Sequence, residues 1–470
     1  MARPHLDLPT LPDVHDPNAI VRAFAANPAF RAAERHELSN ETNPFRRPVR
    51  PDDLNWLDYS TVLPESRTLM LTALLGHRML RNIYDSDQLY LPPMAQQTSE
   101  ADGEAFYSTQ NRVLAALAKP VLERHLFTML DQHNEPLDKP DLASLRRHIG
   151  EYHQRRTTEP GLAHLAAMST RNRVEAATFV LLQYGAFVPA SSAAVARGAI
   201  GEYQAAHPRL RSILLEDYRQ WTDSADSYEQ LLMAAGLTAT TGAYWQLCLG
   251  SSLARGNYLH HLAGSRERVF SFIGAFLHKL VDEEATRPRY DELIAGTLDT
   301  SITYFRAPSA PPDHSVTELV DQLVAPLAEK FGDSVIPEVH AGFVAAARLE
   351  ETWDRDLADQ ITWADRLEEY KDKADKLAHH IETEGIEVDL DTFVESSDET
   401  STTHVHDDHR LVMIEKGQMH FWNNITHKIG LDTGDRILIP ACRLHGSTVL
   451  SGDCTYHQPI IPEEMLRKIG

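Results

Sequence analysis

The sequence has few cysteines, no long apolar run and a deficit of positive charge. Its three cysteines, Cys248, Cys442 and Cys454, form no Cys-x-x-Cys pair, which argues against a thiolate zinc site. Cys442 and Cys454 could meet across a hairpin, but free thiols in a reducing compartment are the simpler interpretation. The net charge of -23 argues against nucleic acid or an anionic membrane as a partner. No segment approaches the roughly 18 apolar residues of a membrane span, and the first residues lack the apolar core of a secretion signal. We therefore predict a cytoplasmic protein.

Most of the 470-residue chain shows helical periodicity. Residues 67–84, 111–132 and 267–284 place apolar side chains at i, i+3, i+4 and i+7, and Pro-rich breakers separate such stretches. The stretch 67–84 carries more apolar surface than a lone exposed helix should. We expect it either to form a homodimer interface or to pack onto the rest of its own chain.

The pattern changes after about residue 385. Segments such as RLVMIEKGQMHFWNN and HKIGLDTGDRILIPA are short, alternate in polarity and are separated by turn residues. A run of short strands with this spacing predicts a small antiparallel barrel or sandwich. The chain therefore reads as helical domains followed by a small all-β domain.

Two histidines separated by one valine, His404 and His406, lie early in this β region within THVHDD. Side chains at i and i+2 of a strand point to the same face, so both imidazoles can aim into a barrel. A third histidine, His445 in RLHG, could complete a three-nitrogen face that leaves coordination positions open. Imidazole suits iron, nickel, copper and zinc, so the residues alone leave the metal open. The alternative is a solvated strand end that happens to contain histidines.

The order of features favours the metal site. His-x-His, a Lys-Gly turn, TGDRILIPA and then a lone histidine follow the cupin pattern. The glutamate that usually follows His-x-His in cupins is missing, and His409 or Arg410 stands in its place. Arg410 would repel a cation. We therefore predict a site of three histidines: His404, His406 and His445.

Landmarks along the chain resemble the streptozotocin-type N-nitrosourea synthase family. They include NPFRRPVRP (43–51), AFYSTQNR (105–112), NYLHHL (257–262), THVHDD (403–408), RLHG (443–446) and CTY (454–456). The resemblance implies an N-terminal helical segment (1–130) that dimerises, a haem-oxygenase-like all-α domain (131–380) and a cupin barrel (381–470). It also implies one Fe(II) on the three histidines, which rearranges an N-hydroxylated guanidine into an N-nitroso product.

In that family the central helical domain also holds two irons, but the corresponding ligands are largely missing from this chain. The residues at the family's ligand positions are Ser191 and Ser192, Asp217, Ser227, Leu280, Pro308, Pro312 and Ser315. Other candidate ligands are Glu202, His207, His260, His261, His278 and Asp282, for which packing or surface roles are the simpler interpretation. Two irons need several inward carboxylates and histidines, so we expect no diiron centre and a helical domain that serves as a scaffold.

Three functions follow as hypotheses. The first is an iron cupin enzyme that forms or rearranges an N–N bond on a small, amino-acid-derived substrate, which a separate enzyme has already N-hydroxylated. In it, Tyr456 of the CTY match supports the metal site or contacts the substrate, and Arg443 binds a substrate carboxylate, although a surface arginine is the simpler interpretation of Arg443. The second is a different oxygen-dependent oxidation or cleavage by the same cupin. The third is a non-catalytic binding partner of an active homologue.

Overall fold

A computed structural model describes residues 9–30, 47–89, 98–132, 136–238, 244–302, 304–306, 315–397, 401–422 and 428–469. The helices are α1 (Pro17–Ala25), α2 (Leu71–Asp85), α3 (Thr98–Phe106), α4 (Thr109–Gln132), α5 (Leu142–Thr158), α6 (Leu162–Ser169), α7 (Arg173–Ala199), α8 (Leu210–Ala234), α9 (Gly250–Ala263), α10 (Val269–Tyr290), α11 (Val316–Leu323), α12 (Ala325–Phe331), α13 (Val335–Asp365), α14 (Leu367–Glu384) and α15 (Glu463–Ile469). The strands are β1 (Thr392–Ser396), β2 (His409–Trp422), β3 (Lys428–Asp432), β4 (Arg436–Ile439), β5 (Gly446–His457) and β6 (Ile460–Ile461).

The centre of the helical body is built on two closely packed helices, α10 and α13. Gly274 of α10 and Gly342 of α13 lie at their contact, where a Cβ atom would come within 1.9 Å of the Val339 carbonyl oxygen and 2.0 Å of the Ser271 carbonyl oxygen, respectively. Glycine is required here because any side chain would push the two backbones apart.

Helix α7 packs beside this pair and against α8 and α9. It is long and apolar enough to cross a membrane, yet 78% of its most apolar window is buried inside the protein. That burial is typical of the core helix of a helical bundle.

The apolar helix at 67–84 corresponds to α2, which lies between α4 and α9. Its apolar residues, among them Leu74, Leu75, Met79 and Leu80, are buried within the same chain. Of the two alternatives, the structure shows that α2 packs onto the rest of its own chain. The apolar surface of α2 therefore gives no argument for a dimer. The homodimer stays a prediction.

The C-terminal strands form a six-stranded antiparallel sheet in the order β1-β5-β2-β3, with β4 and β6 also pairing with β2. Alternating residues of β2, such as Val412, Ile414, Met419 and Phe421, fill its core. The register of β2 against β5 shifts near Lys416–Met419, an irregularity that bends the long strand. This confirms the predicted fold class of helices followed by a small all-β domain.

The β domain is seated on the helical body. A continuous apolar cluster runs from α1 through the central helices to Val405 and Leu444 of the β domain, and α14 packs against β4 and α15. The predicted boundaries at 130 and 380 fall near the ends of α4 and α14. Helix α14 ends at Gly385, whose φ of 60° suits glycine, and the chain then enters the β domain. The division into three domains stays a prediction.

Candidate metal centre

Three histidines converge where the β domain meets the helical body. His404 and His445 face each other in an antiparallel bridge in which each backbone N–H donates to the other's carbonyl, at 2.9 and 3.0 Å. The three imidazole ring centroids are 4.5, 4.8 and 4.9 Å apart, and the possible ligand atoms lie within 4.8 Å of one another. The structure therefore brings His404, His406 and His445 together, as the sequence predicts.

The path of the chain differs from the predicted one in a single respect. Strand β2 begins at His409, so His404 and His406 precede it in an extended segment instead of opening a strand. The segment is held by the bridge to His445 and by the Cys442 N–H, which donates to the His406 carbonyl at 2.8 Å. An extended backbone still alternates its side chains, so the i, i+2 argument gives the right outcome.

Backbone carbonyls orient two of the three imidazoles. Nδ1 of His404 lies 2.9 Å from the Thr402 carbonyl, and Nδ1 of His445 lies 2.8 Å from the Arg443 carbonyl. A carbonyl only accepts, so each Nδ1 carries the proton and each Nε2 keeps its lone pair. A hydrogen bond of this kind also fixes a metal-binding histidine in its ring orientation.

Two ring nitrogens of the triad are available to bind a metal. Nε2 of His406 and Nε2 of His445 are buried and have no hydrogen-bond partner among the residues that the structure describes. Buried polar atoms are normally satisfied, so two such atoms aimed at one point need a further group. Three neutral imidazoles around one point are a donor set for a transition metal.

The electrostatics agree with neutral ligands. Burial lowers the pKa of His404, lowers that of His406 to about 2 and lowers that of His445 well below its usual value. The neighbouring histidines lower two of these pKa values further, since His404 acts on His406, and both act on His445. The three imidazoles are therefore unprotonated at neutral pH, as metal binding requires.

The residues at the missing glutamate position lie outside the triad. His409 Nε2 is 2.9 Å from Glu463, and its Nδ1 accepts the Ala441 N–H at 3.1 Å. The Arg410 guanidinium donates to Asp391 and to the Gln458 carbonyl, each at 3.0 Å. Neither side chain is a member of the metal-capable group, which consists of the three histidines.

A cavity of about 870 Å³ opens above the histidines. The β domain supplies part of its lining, including Phe421, which stacks on His445 with centroids 5.0 Å apart. The N-terminal region and the helical body supply the rest of the lining, with Arg50, Trp56 and Arg78 among its residues. Arg47 and Arg50 of the NPFRRPVRP segment line this cavity, and the cluster of arginines in that motif was the signal that could have indicated them.

Tyr456 lines the same cavity, as expected of a residue that contacts substrate. Its hydroxyl donates to Oε1 of Glu395 at 2.8 Å, while Oε2 of Glu395 is buried without a hydrogen-bond partner among the described residues. Burial, followed by the nearby Glu395 carboxylate, raises the pKa of Tyr456 above its usual range, so the phenol stays neutral. No sequence pattern indicated a role for Glu395, which lies 61 residues away on β1.

Arg443 takes a different position. Its guanidinium donates to the Asp356 carbonyl at 3.2 Å and lies 3.6 Å from the carboxylates of Asp356 and Asp359, all on α13. The side chain is buried and is absent from the residues that line the cavity. The structure thus places Arg443 against the helical body, away from a substrate in this cavity.

The described positions corresponding to diiron ligands have other surroundings. Asp217 forms an ion pair with Lys279 at 2.7 Å, and Ser315 caps the start of α11. Ser191 donates to the Val188 carbonyl. Pro308 and Pro312 lie outside the described residues.

The other candidate ligands make contacts of other kinds, and among the described residues the metal-capable group is the histidine triad. His260 stacks on Tyr84, His261 faces Glu123, His207 contacts the Gln322 carbonyl, Glu202 pairs with Arg211, and His278 and Asp282 share Tyr152.

Comparison with known proteins supports the resemblance seen in the motifs. No protein-family model matches the chain. Over 446 residues it is 29% identical to the nitrosourea synthase of Streptomyces achromogenes subsp. streptozoticus, an alignment that covers 93% of this chain and 94% of the relative. The chain therefore resembles nitrosourea synthase along nearly its whole length.

Proposed function

We propose that this protein is a mononuclear iron enzyme whose cupin domain forms or rearranges an N–N bond on an N-hydroxylated guanidine or amine. One observation carries the proposal: three neutral histidines, whose possible ligand atoms lie within 4.8 Å of one another, converge at a cavity in a chain that resembles a nitrosourea synthase. The choice of Fe(II), one per chain, rests on that resemblance, because imidazole ligands alone fit several metals.

His404, His406 and His445 would hold the metal through their Nε2 atoms. Fe(II) bound there would supply open coordination positions for oxygen or an N-hydroxylated group, together with one-electron redox chemistry. Phe421 stacks on His445 and covers one side of the triad with an apolar ring. Such a covering limits the access of water to the reacting atoms.

The cavity has groups for both ends of an amino-acid-derived substrate. The free oxygen of Glu395 can accept a hydrogen bond from a guanidine or amine N–H, and Tyr456 holds that carboxylate in place. Arg50 also lines the cavity, with 3.5 Å between its guanidinium and the Thr402 hydroxyl. We assign the substrate carboxylate to Arg50, because Arg443 is engaged by Asp356 and Asp359.

The N-hydroxylated substrate would come from another enzyme. In the helical body a lysine ammonium, that of Lys279, neutralises Asp217 at a position where the resembled family places a metal ligand. We therefore propose that the helical body is a scaffold. We further propose a homodimer. A cytoplasmic location is consistent with the three cysteines, Cys248, Cys442 and Cys454, which form no disulfide in the described residues.

The test combines metal content with product analysis. Purified protein should contain about one iron per chain, and His404→Ala and His445→Ala should lose both the iron and turnover of an N-hydroxylated guanidine substrate. His409→Ala is the matched control, because His409 is a neighbouring histidine that contacts Glu463 instead of the triad. It should keep iron and activity.

Mass spectrometry with nitrogen-15 and oxygen-18 labels identifies the product. A new N–N bond supports the proposal, whereas an oxygenated or cleaved product without one supports a different oxidation by the same cupin. Protein without bound metal and without turnover would support the non-catalytic alternative. Full turnover by His404→Ala would contradict the assignment of the metal site.

A further inference from the structure

The residue that precedes His445 is held by a glutamine of the helical body. Gln360 on α13 donates from Nε2 to the Leu444 carbonyl at 2.8 Å, and its Oε1 accepts the Leu444 N–H at 3.0 Å. Gln360 is 1% exposed, and Leu444 is fully buried. One amide side chain thus satisfies both backbone groups of Leu444, which fixes the peptide planes on both sides of that residue.

The residue that precedes His404 is held in a similar way. The Arg78 guanidinium on α2 donates to the Thr403 carbonyl at 2.7 Å and to the Thr403 hydroxyl at 2.9 Å. The Thr403 N–H donates to Oε1 of Gln246 at 3.2 Å, and the Thr403 hydroxyl donates to the Gln246 carbonyl. All three residues are buried.

These contacts reflect the alternating directions of successive side chains in the extended segment THVHDD. Thr403 is bound by α2 and by the turn at Gln246, and Val405 joins the apolar cluster of the helical body. The Asp407 carboxylate accepts the Leu71 N–H at the start of α2, at 2.9 Å. The odd-numbered residues therefore attach the segment to the helical body, while His404 and His406 between them converge on His445.

We infer that Gln360, Arg78 and Gln246 are positioning residues of the metal centre, so that the helical body sets the separation of the histidine ligands. The two clamped residues, Thr403 and Leu444, each precede a histidine of the His404–His445 bridge. A shift of either clamp would move its histidine relative to the other ligands. This inference rests on the proposed function, because it requires the triad to bind a metal.

The experiment titrates cobalt(II) into full-length, metal-free protein and follows the visible absorption of the bound ion. Gln360→Met keeps the length of the side chain and removes both hydrogen bonds to Leu444. Thr403→Val keeps the shape of the side chain and removes only the hydroxyl contacts. Because partners of ligand-bearing groups typically contribute ten- to a hundredfold to metal affinity, each variant should bind cobalt about 10 to 100 times more weakly and with an altered spectrum.

Asp354→Leu is the matched control on the same helix. Asp354 also bonds two backbone groups, the N–H groups of Leu162 and Ala163, but both belong to the helical body. We expect this variant to unfold at a lower temperature while keeping the wild-type cobalt affinity and spectrum. Equal loss of affinity in Asp354→Leu would overturn the inference, because general destabilisation would then explain the result.

The outcomes separate this inference from the proposed function. Wild-type affinity and spectrum in Gln360→Met and Thr403→Val would overturn the positioning role and leave the metal site intact. Absence of cobalt binding by the wild-type protein would contradict both. If Gln360→Met does not fold, Thr403→Val decides, since it changes only one hydroxyl group and keeps the clamp on Leu444.

Discussion

The buried ion pair between Lys279 and Asp217 offers a sharp test of how the interior of the helical body is stabilised. The Lys279 ammonium lies 2.7 Å from Asp217 and 3.2 Å from Glu283, and the paired Lys279 and Asp217 side chains are 7% and 5% exposed. Burial opposes the charge on Lys279, yet the carboxylates of Asp217 and Glu283 hold its pKa above the ordinary value. The lysine therefore stays protonated and neutralises the buried carboxylate.

Replacing Lys279 with methionine should leave an uncompensated buried charge. Removing one partner of a buried pair typically costs about 3–5 kcal/mol, and Oδ2 of Asp217 already has no hydrogen-bond partner among the described residues. We expect Lys279→Met to lose about 3–5 kcal/mol of unfolding free energy at pH 8. The double variant Lys279→Met/Asp217→Leu should recover to within about 1 kcal/mol of wild type, since apolar replacement of a whole buried pair is often neutral or stabilising.

The pH dependence gives a second readout on the same variant. Burial already raises the pKa of Asp217, and loss of the ammonium should raise it further. The folded variant then holds a proton that the unfolded chain releases, so its stability should rise as the pH falls. As the pH falls from the new folded-state pKa of Asp217 toward its unfolded value of about 3.9, the stability deficit of the variant should shrink by up to about 1.4 kcal/mol per pH unit. Below about pH 3.9 the deficit should shrink no further.

Urea unfolding followed by helical circular dichroism at pH 6, 7 and 8 measures these differences. Arg219→Met is the control, because Arg219 and Glu216 form an exposed pair on α8 that should contribute less than about 1 kcal/mol. A loss below about 1 kcal/mol in Lys279→Met would refute the reasoning. So would a double variant as unstable as the single one, because the buried charge would then not be the cause.

Three further predictions concern the cavity, the helix packing and the buried histidines. Tyr456→Phe removes the hydrogen bond that holds Glu395. It should lower turnover about tenfold, which is a rise of about 1.4 kcal/mol in activation free energy, while the iron content stays unchanged. Gly342→Ala should destabilise the protein by about 1–3 kcal/mol or more in thermal unfolding, because its Cβ would lie 2.0 Å from the Ser271 carbonyl oxygen. Gly296→Ala is the control: its Cβ would meet open space, so this variant should be neutral or stabilised by up to about 1 kcal/mol. Burial lowers the pKa of His77 to about 3, below its unfolded value, so this group costs stability as the pH falls from 7 toward 3. His77→Phe should therefore remove about 2 kcal/mol of the difference in unfolding free energy between pH 7 and pH 5, and an unchanged difference would contradict this account.

The sequence predicts those parts of the fold that depend on local periodicity. Apolar side chains at helical spacing mark α2, α4 and α10, and alternation with turn residues marks the strands after residue 385. Periodicity identifies an apolar face but not the surface that covers it. For this reason the sequence left two partners open for α2, and only the three-dimensional packing against α4 and α9 decides between them.

The histidine triad could be predicted because its geometry has a local component. His404 and His406 are two residues apart, and RLHG follows within the same small domain. The supporting contacts have no such component: Gln360 and Leu444 are 84 residues apart, and Arg78 and Thr403 are 325 residues apart. Arg443 shows the same limit, since its spacing from His445 suggested a role in the cavity while an ion pair with α13 directs its side chain elsewhere.

The two roles proposed for the helical body have a common physical basis. The extended segment before β2 presents His404 and His406 on one face, which leaves its other face available for attachment. Thr403, Val405 and Asp407 bind the helical body through that other face. The same body and the N-terminal region also supply part of the cavity lining, including Arg78 and Arg50. A helical domain without redox chemistry of its own would thus still set both the geometry of the ligands and the charge that a substrate meets. Substitutions of the residues that hold Thr403 and Leu444, such as Arg78 and Gln360, should therefore change metal affinity before they change the fold.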